Sequence, residues 1–286
     1  ARDLCAFIDR SPTPWHAVAE VGARLVGAGF TGLWSAVLAA TEGRRVVLLE
    51  AGRIADGATG RNGGFCAASL THGLLNGMSR WPDDMRLLNE LGLANLAAIE
   101  SFVHEHDIDC QFIRAGELVV ASQPHHVDEL VDLARLYVHW GLDARMLDHA
   151  GLRDRLSSPN FIAALDLPGA SALVNPARLA WGLARVAQDL GVRIHEETAA
   201  TGLHRHGSGV RVSTPCGSVL ARQVILATNA YPPLLRRIRA YVVPVYDYVI
   251  VTRPLTDAEA REIAWDGRQG FADASNLFHY SRMTAD

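Results

Sequence analysis

The period of the apolar residues changes several times along the chain, and each change marks an element. Arg45-Val-Val-Leu-Leu-Glu50 is short and almost entirely apolar, the pattern of a buried parallel strand, and Leu33 to Glu42 before it reads as a helix ending at Gly43. Over residues 84–107, Met85, Leu88, Leu91, Leu96, Ile99 and Val103 recur at helical spacing with acidic residues between them, which predicts a long amphipathic helix. Phe112 to Ser122 predicts a strand around Glu117-Leu-Val-Val-Ala. Ser122 is placed to cap a following helix that carries Leu130, Leu133, Leu136 and Tyr137 on one stripe, and a short helix is expected after Asp148. Asn175-Pro176 supplies an N-cap and a first-turn proline, and the stripe Leu179, Leu183, Val186, Leu190 stops at Gly191 before a Val192–His195 strand. Thr201–His206 and Gly209–Thr214 predict a hairpin, and Gln223-Val-Ile-Leu-Ala227-Thr228-Asn229-Ala230 a buried strand. Tyr241 to Arg253 is long, β-branched and aromatic. It predicts a strand with Tyr246 and Tyr248 on one face and Asp247 and Val249 on the other.

One stretch among these elements carries chemistry. Gly27-x-Gly29-x-x-Gly32 places glycines where a tight turn, a close backbone approach to a pyrophosphate and a close helix–strand contact are needed, with the phosphate at the helix N-terminus. Glu50 ends the next strand roughly 20 residues on, where a carboxylate accepts hydrogen bonds from ribose hydroxyls and disfavours a 2′-phosphate. The pair specifies a dinucleotide. The residues before Gly27 fit less well, because Val21-Gly22-Ala23-Arg24-Leu25-Val26 has Gly and Arg where a central strand carries Val or Ile. The first strand is therefore expected to be compromised or replaced. Further on, Ala58-Thr59-Gly60-Arg61-Asn62-Gly63-Gly64 reads as a glycine-rich loop able to lie against a cofactor ring and donate backbone N–H groups to it. The plainer role for Arg61 and Asn62 is to cap local backbone groups.

Composition removes other classes. The 286 residues, 49% of them hydrophobic, supply core for one large domain or two ordinary ones. A formal net charge of -4 gives no general electrostatic case for nucleic acid or an anionic membrane, and the basic run Arg236-Arg237-Ile-Arg239 reads as a solvated face. Cys5, Cys66, Cys110 and Cys216 form no Cys-x-x-Cys pair, which argues against a zinc site or redox dithiol and fits reduced thiols. His104, His106, His125, His126, His195, His204 and His206 fall on different predicted elements, so no metal site is expected. No apolar run approaches the roughly 20 residues of a membrane helix, and the N-terminus lacks a secretory signal's basic start and apolar centre. A cytoplasmic location is the resulting expectation.

Gly27-Ala-Gly29-Phe30-Thr31-Gly32-Leu, Val47-Leu-Leu-Glu50-Ala51 and Gly57-Ala-Thr-Gly-Arg61-Asn62-Gly63-Gly64, in this order, resemble the FAD-dependent amine and amino-acid oxidases of the D-amino-acid oxidase type. The glycine oxidase and γ-glutamylputrescine oxidase-like subgroup is nearest in character, and the resemblance runs from about residue 26 to the C-terminus. It implies non-covalent FAD on the residues of these motifs, Arg61 and Asn62 near the isoalloxazine, and Ala227-Thr228 on the strand that returns to the FAD domain. Ala199 to Gly202 would lie near the adenine. The reaction implied is oxidation of a C–N bond by hydride transfer to flavin N5, giving an imine that water hydrolyses, with oxygen or another acceptor taking the electrons and peroxide released when oxygen serves. The substrate implied is a small-molecule amine, touched by Tyr248 and His279.

The fold class implied is α/β (α+β overall): a dinucleotide-binding parallel sheet with helices, plus a mainly antiparallel substrate domain. The expected division is a helical arm of foreign character at 1–24, an FAD-binding domain at 25–83 and 160–235, and a substrate domain at 84–159 and 236–286. Family members continue beyond the point matching Asp286, so this substrate domain is expected to be incomplete. The arm itself, Leu4-Cys-Ala-Phe-Ile-Asp-Arg-Ser-Pro-Thr-Pro-Trp-His16-Ala-Val-Ala-Glu-Val, resembles the extreme N-terminus of aspartyl aminopeptidases over residues 3–30. Two other readings follow from these departures. One is an inactive hybrid or truncated flavoprotein fragment with weak or no FAD binding. The other, a zinc aminopeptidase, lacks a ligand cluster further along the chain.

Overall fold

The computed structural model describes residues 25–229, 231, 234–243, 245, 248–275 and 278–284. The expected N-terminal arm lies outside the described residues. The chain divides into two compact units: one takes residues up to Asn62, His106–Cys110 and Pro176–Val249, and the other takes Gly63–Glu105, Gln111–Asn175 and the residues from Ile250 onward.

In chain order, β1 (Leu25–Val26) leads through the glycine turn into α1 (Phe30–Thr41), and β2 (Val47–Leu49) follows. Gly32, Ser35, Ala36 and Ala39 are buried on α1, small residues that let a helix lie close to a sheet. The glycine-rich stretch expected as a loop contains a single helical turn, α2 (Ala58–Arg61). Next come β3 (Phe65–Ala67), α3 (Leu74–Arg80) and α4 (Met85–Glu105), which buries Met85, Leu96, Ile99 and Val103 of the expected stripe. β4 (Glu117–Ala121) occupies the apolar centre of its predicted span. α5 (Pro124–His139) starts without the expected Ser122 cap: Gln123 holds the N-cap position with no side-chain hydrogen bond, and Pro124 begins the helix with no N–H to satisfy.

β5 (Arg145–Leu147) precedes α6 (His149–Arg153), where Asp148 accepts from the Gly151 N–H at 2.8 Å. β6 (Ala163–Leu167), β7 (Ser171–Leu173), α7 (Pro176–Asp189) and β8 (Arg193–His195) follow. β9 (Gly202–His206) and β10 (Gly209–Thr214) form the expected hairpin, and β11 (Gly217–Ala221) extends it. β12 (Ile225–Leu226), α8 (Asp257–Ile263), β13 (Gly270–Asp273) and β14 (Tyr280–Ser281) complete the order.

The first unit holds a parallel sheet in the order β12-β1-β2-β8. The first strand, expected to be compromised or replaced, is described over two residues: Leu25 is in register with Leu48 on one side and Ile225 on the other, and Val26 with Leu49 and Leu226. Among the described residues this pairing takes in the two apolar residues next to Gly27, whose N–H extends the ladder to the Leu49 carbonyl at 2.8 Å. β12 is also shorter than predicted and only half-buried, as suits the edge of a sheet. Val47 and Leu49 pack with Val212, Leu203 and Val219 of the antiparallel β11-β10-β9 sheet.

The second unit is built on a mixed sheet, β14-β13-β4-β6-β5, in which only the β13–β4 pair is parallel. Leu118, Val120, Leu152 and Trp265 form one core cluster beside it, and Ala121, Leu130, Leu165 and Leu167 another. Glu117 is an anomaly on β4, because burial pushes its carboxyl up, and burial with the Glu117 charge nearby pushes the Tyr137 phenol up to about 12. A carboxyl with a raised folded-state pKa favours the fold in acid and opposes it once pH rises past its unfolded value. Glu117→Gln is accordingly expected to raise Tm at neutral pH by about 2–4 °C, the shift expected per kcal/mol in a chain of this class. The gain should vanish in thermal scans run at acid pH; an equal gain at both pH values would contradict the buried-charge account.

The expected Tyr241–Arg253 strand is not formed. Among the described residues the stretch pairs with no neighbour, its first residue ends a 3₁₀ turn (Arg236–Tyr241), and Val243, Val245, Ile250 and Val251 are exposed. β-branched composition gives a segment the capacity for a strand, whereas the strand itself needs an adjacent edge to bond to.

Candidate functional site

At the N-terminus of α1 the backbone is crowded in a way only glycine permits. Gly27 has φ +105°, and a methyl placed on it would lie 2.6 Å from the Ala227 carbonyl oxygen. A methyl on Gly32 would overlap the Gly27 carbonyl, and one on Gly29 would come within 2.8 Å of the Thr59 hydroxyl. The turn is thus pressed against the residues after β12 on one side and α2 on another. Phe30 and Thr31 open α1 behind an N-cap glycine that supplies no side-chain oxygen, and the first turn contains no acidic residue. The helix N-terminus therefore presents backbone N–H groups and the positive end of its dipole with no acidic side chain of its own first turn against them.

Glu50 leaves the end of β2 and turns back to this site. Its carboxylate accepts from the Ala28 N–H at 2.6 Å, inside the glycine turn, and from the Gly52 N–H at 2.9 Å. Each oxygen uses one lone pair on the backbone and keeps another for an incoming hydroxyl. Ala51 is exposed beside it. The Glu50 N–H donates to the His195 carbonyl and the Thr198 N–H to the Glu50 carbonyl, so the chain after β8 runs along this end of β2.

Arg61 is exposed at the end of α2, and the Asn62 amide donates to the carbonyls of Thr59 at 2.7 Å and Ala58 at 3.2 Å. Asn62 therefore does the local capping expected as its plainer role. Gly63 and Gly64 belong to the second unit. There a methyl on Gly63 would overlap the Tyr280 ring, and the Val174 N–H donates to the Gly64 carbonyl at 2.9 Å. Phe65 meets Tyr280 edge-on, with ring centroids 5.5 Å apart. Burial pushes the nearby Cys66 thiol up to about 11, which leaves it protonated and unreactive at neutral pH.

The two expected substrate contacts differ. Tyr248 is 89% exposed, while Tyr246 and Asp247 lie outside the described residues. His279 just precedes β14, its Nδ1 2.8 Å from Asp273 Oδ2. Sequence reading missed Asp273, Thr59 and Tyr280. Asp273 and His279 are brought together by a turn whose spacing matches no periodic signal, and Tyr280 reaches Gly63 from far along the chain. Among the described residues no cluster of three or more His, Cys, Asp or Glu side chains is arranged to hold a metal, and no helix is long and apolar enough to cross a membrane.

Residues 25–286 match the family model described as FAD dependent oxidoreductase. The chain belongs to that family. It is 28% identical over 270 residues to the probable oxidoreductase OrdL of Haemophilus influenzae and 32% identical over 270 residues to the gamma-glutamylputrescine oxidoreductase of Escherichia coli. Each alignment takes in 92% of this chain and 62% of the relative, so the chain spans less than two thirds of the length of these proteins. Among solved structures it is similar in fold to glycine oxidase from Geobacillus kaustophilus, with a TM-score of 0.63 at 21% identity over 74% of this chain and 56% of that one. The family's fold, with parallel and antiparallel sheets and helices, is the one described above.

The family uses FAD, and the first unit's geometry fits the ADP half of that group. Substitution-intolerant glycines open a path to an uncapped helix N-terminus for the pyrophosphate, and Glu50 stands where ribose hydroxyls need an acceptor.

Proposed function

We propose that the chain binds FAD non-covalently and oxidises the C–N bond of a small amine or amino acid. The observation that carries the reading is the Glu50 carboxylate held 2.6 Å from the Ala28 N–H, within a glycine turn that closes on Ala227. Bound FAD supplies a two-electron acceptor for the hydride on the carbon that bears the nitrogen. The chain's own residues bind and orient. The N–H groups of Gly29, Phe30, Thr31 and Gly32 face the pyrophosphate, and Glu50 takes the adenosine ribose, with Ala51, Ala227 and Thr228 flanking it. The Arg61-Asn62-Gly63-Gly64 stretch serves the flavin end. His279 and Tyr248 touch the amine, and oxygen or another acceptor receives the electrons. The parallel-sheet unit is the FAD-binding part and the mixed-sheet unit the substrate part. The amine class is supported by the activities for which the similar proteins are named, gamma-glutamylputrescine oxidoreductase and glycine oxidase.

The purified protein, incubated with FAD and desalted, is expected to show flavin absorption bands that bleach anaerobically on addition of an amine from a panel of γ-glutamylputrescine, sarcosine and glycine. A protein that remains colourless after incubation sinks the reading.

A further inference from the structure

Asp273 occupies the end of β13, in register with Val120 of β4, so its backbone is fixed by the sheet. Its side chain is 14% exposed, while the His279 side chain is 86% exposed. Every oxygen of the carboxylate is engaged. Oδ1 accepts from the Ser275 N–H at 3.0 Å, and Oδ2 accepts from the His279 N–H at 3.0 Å and faces His279 Nδ1 at 2.8 Å. The Asp273 N–H closes the ring by donating to the His279 carbonyl at 3.0 Å. Burial works to raise the carboxyl, but the hydrogen bonds from His279 and Ser275 outweigh it and hold it below the usual carboxylate range.

An ionised carboxylate only accepts, so Nδ1 must carry the proton of this contact. In a neutral imidazole Nε2 is then a bare acceptor, turned away from Asp273 toward solvent. The same carboxylate makes the ring more electron-rich and limits its rotation, as a carboxylate does behind the histidines of metal and hydrolase sites. The next residue, Tyr280, is packed on Gly63 and Phe65, so the backbone that carries the imidazole is anchored on its C-terminal side.

We propose that Asp273 is a positioning residue that fixes His279 as an Nε2 acceptor for an N–H of the amine substrate. This rests on the amine-oxidising reading above and goes beyond it by assigning the group that recognises the nitrogen and the residue that sets its tautomer. An ammonium that carries an N–H offers the strong donor such a site selects, and a quaternary ammonium, which carries none, does not.

Long-range ¹H–¹⁵N correlation on protein labelled at histidine is expected to show His279 with Nδ1 protonated and Nε2 bare. The Nε2 resonance should shift when at least one of γ-glutamylputrescine, sarcosine or glycine is titrated in. Asp273→Asn is expected to mix the tautomers and raise the amine Kd or KM about 10-fold with a smaller change in kcat, within the range seen when such supporting carboxylates are removed. His279→Ala, at an exposed position that folding does not depend on, should raise it by a similar factor. The double variant should be no worse than His279→Ala alone, because both substitutions remove one interaction. A mixed tautomer in the parent protein, an Nε2 resonance unmoved by all three amines, or additive losses in the double variant would each overturn the proposal. The oxidase reading fails separately. A colourless protein whose His279 shows the fixed tautomer and the amine-induced shift would overturn only the flavin chemistry, and a bleaching flavoprotein with mixed tautomers would overturn only the Asp273 role.

Discussion

Gly32→Ala is expected to yield a protein that no longer retains FAD through desalting. The added methyl would overlap the Gly27 carbonyl and approach the Ala227 side chain to 3.4 Å, so α1 must move away from β1 and β12. Backbone cannot yield as the end of a flexible side chain can, and overpacking of this kind costs about 1–3 kcal/mol in stability. The larger effect falls on binding, because the displaced groups are the N–H donors proposed to face the pyrophosphate. A Kd increase of about 100-fold, equivalent to roughly 2.8 kcal/mol, is the expected result in a flavin-fluorescence titration. Thermal unfolding monitored alongside separates lost binding from lost fold, and full FAD occupancy in a folded Gly32→Ala protein would falsify the assignment of the turn.

Glu50 gives the second large effect, and its two variants are ordered. Glu50→Ala removes the acceptor of the Ala28 and Gly52 N–H groups together with the proposed partner of the ribose hydroxyls. Leaving half-buried donors unsatisfied costs about 1–3 kcal/mol each, and lost hydrogen bonds to a charged group about 1.5–3. FAD affinity should fall by about 100-fold, since part of the loss destabilises the free protein as well. Glu50→Gln keeps one acceptor oxygen and should lose about 10-fold. Calorimetric titration of both variants tests the order; equal losses would mean that the charge, and not the hydrogen-bond geometry, governs the site.

The legible part of the molecule is the part whose requirements are local. Gly32 is set by its contact with the Gly27 carbonyl within one turn, and Glu50 follows from the strand it ends, so a β–turn–α–β pattern in the text translates directly into the observed turn. Helices with strong stripes, such as α4 and α7, fall near their expected bounds for the same reason. Two elements depend on a distant partner. The Leu25-Val26 strand is flanked upstream by unsuitable residues yet pairs on both sides, because two apolar residues and the Gly27 N–H are enough when neighbouring strands exist. Residues 241–253 have the composition of a strand, and the described residues among them are assigned to no strand. Asp273 was invisible because an aspartate before a turn has many ordinary uses, and only the fold shows its carboxylate meeting an imidazole.

The sheet order of the first unit has a consequence for how the protein comes into being. β1 lies between β2, which follows it closely, and β12, whose end carries the carbonyl that closes on Gly27. Roughly 200 residues separate the two sides of that contact, and at a synthesis rate of about 5–20 residues per second the nascent glycine turn waits about 10–40 s for its second wall. During that interval β1 presents an unpaired apolar edge, and loop closure over such a span is slow compared with local helix formation. A ribosome pausing within residues 65–220 would prolong the exposure, which makes this interval the one in which a chaperone has the most to protect.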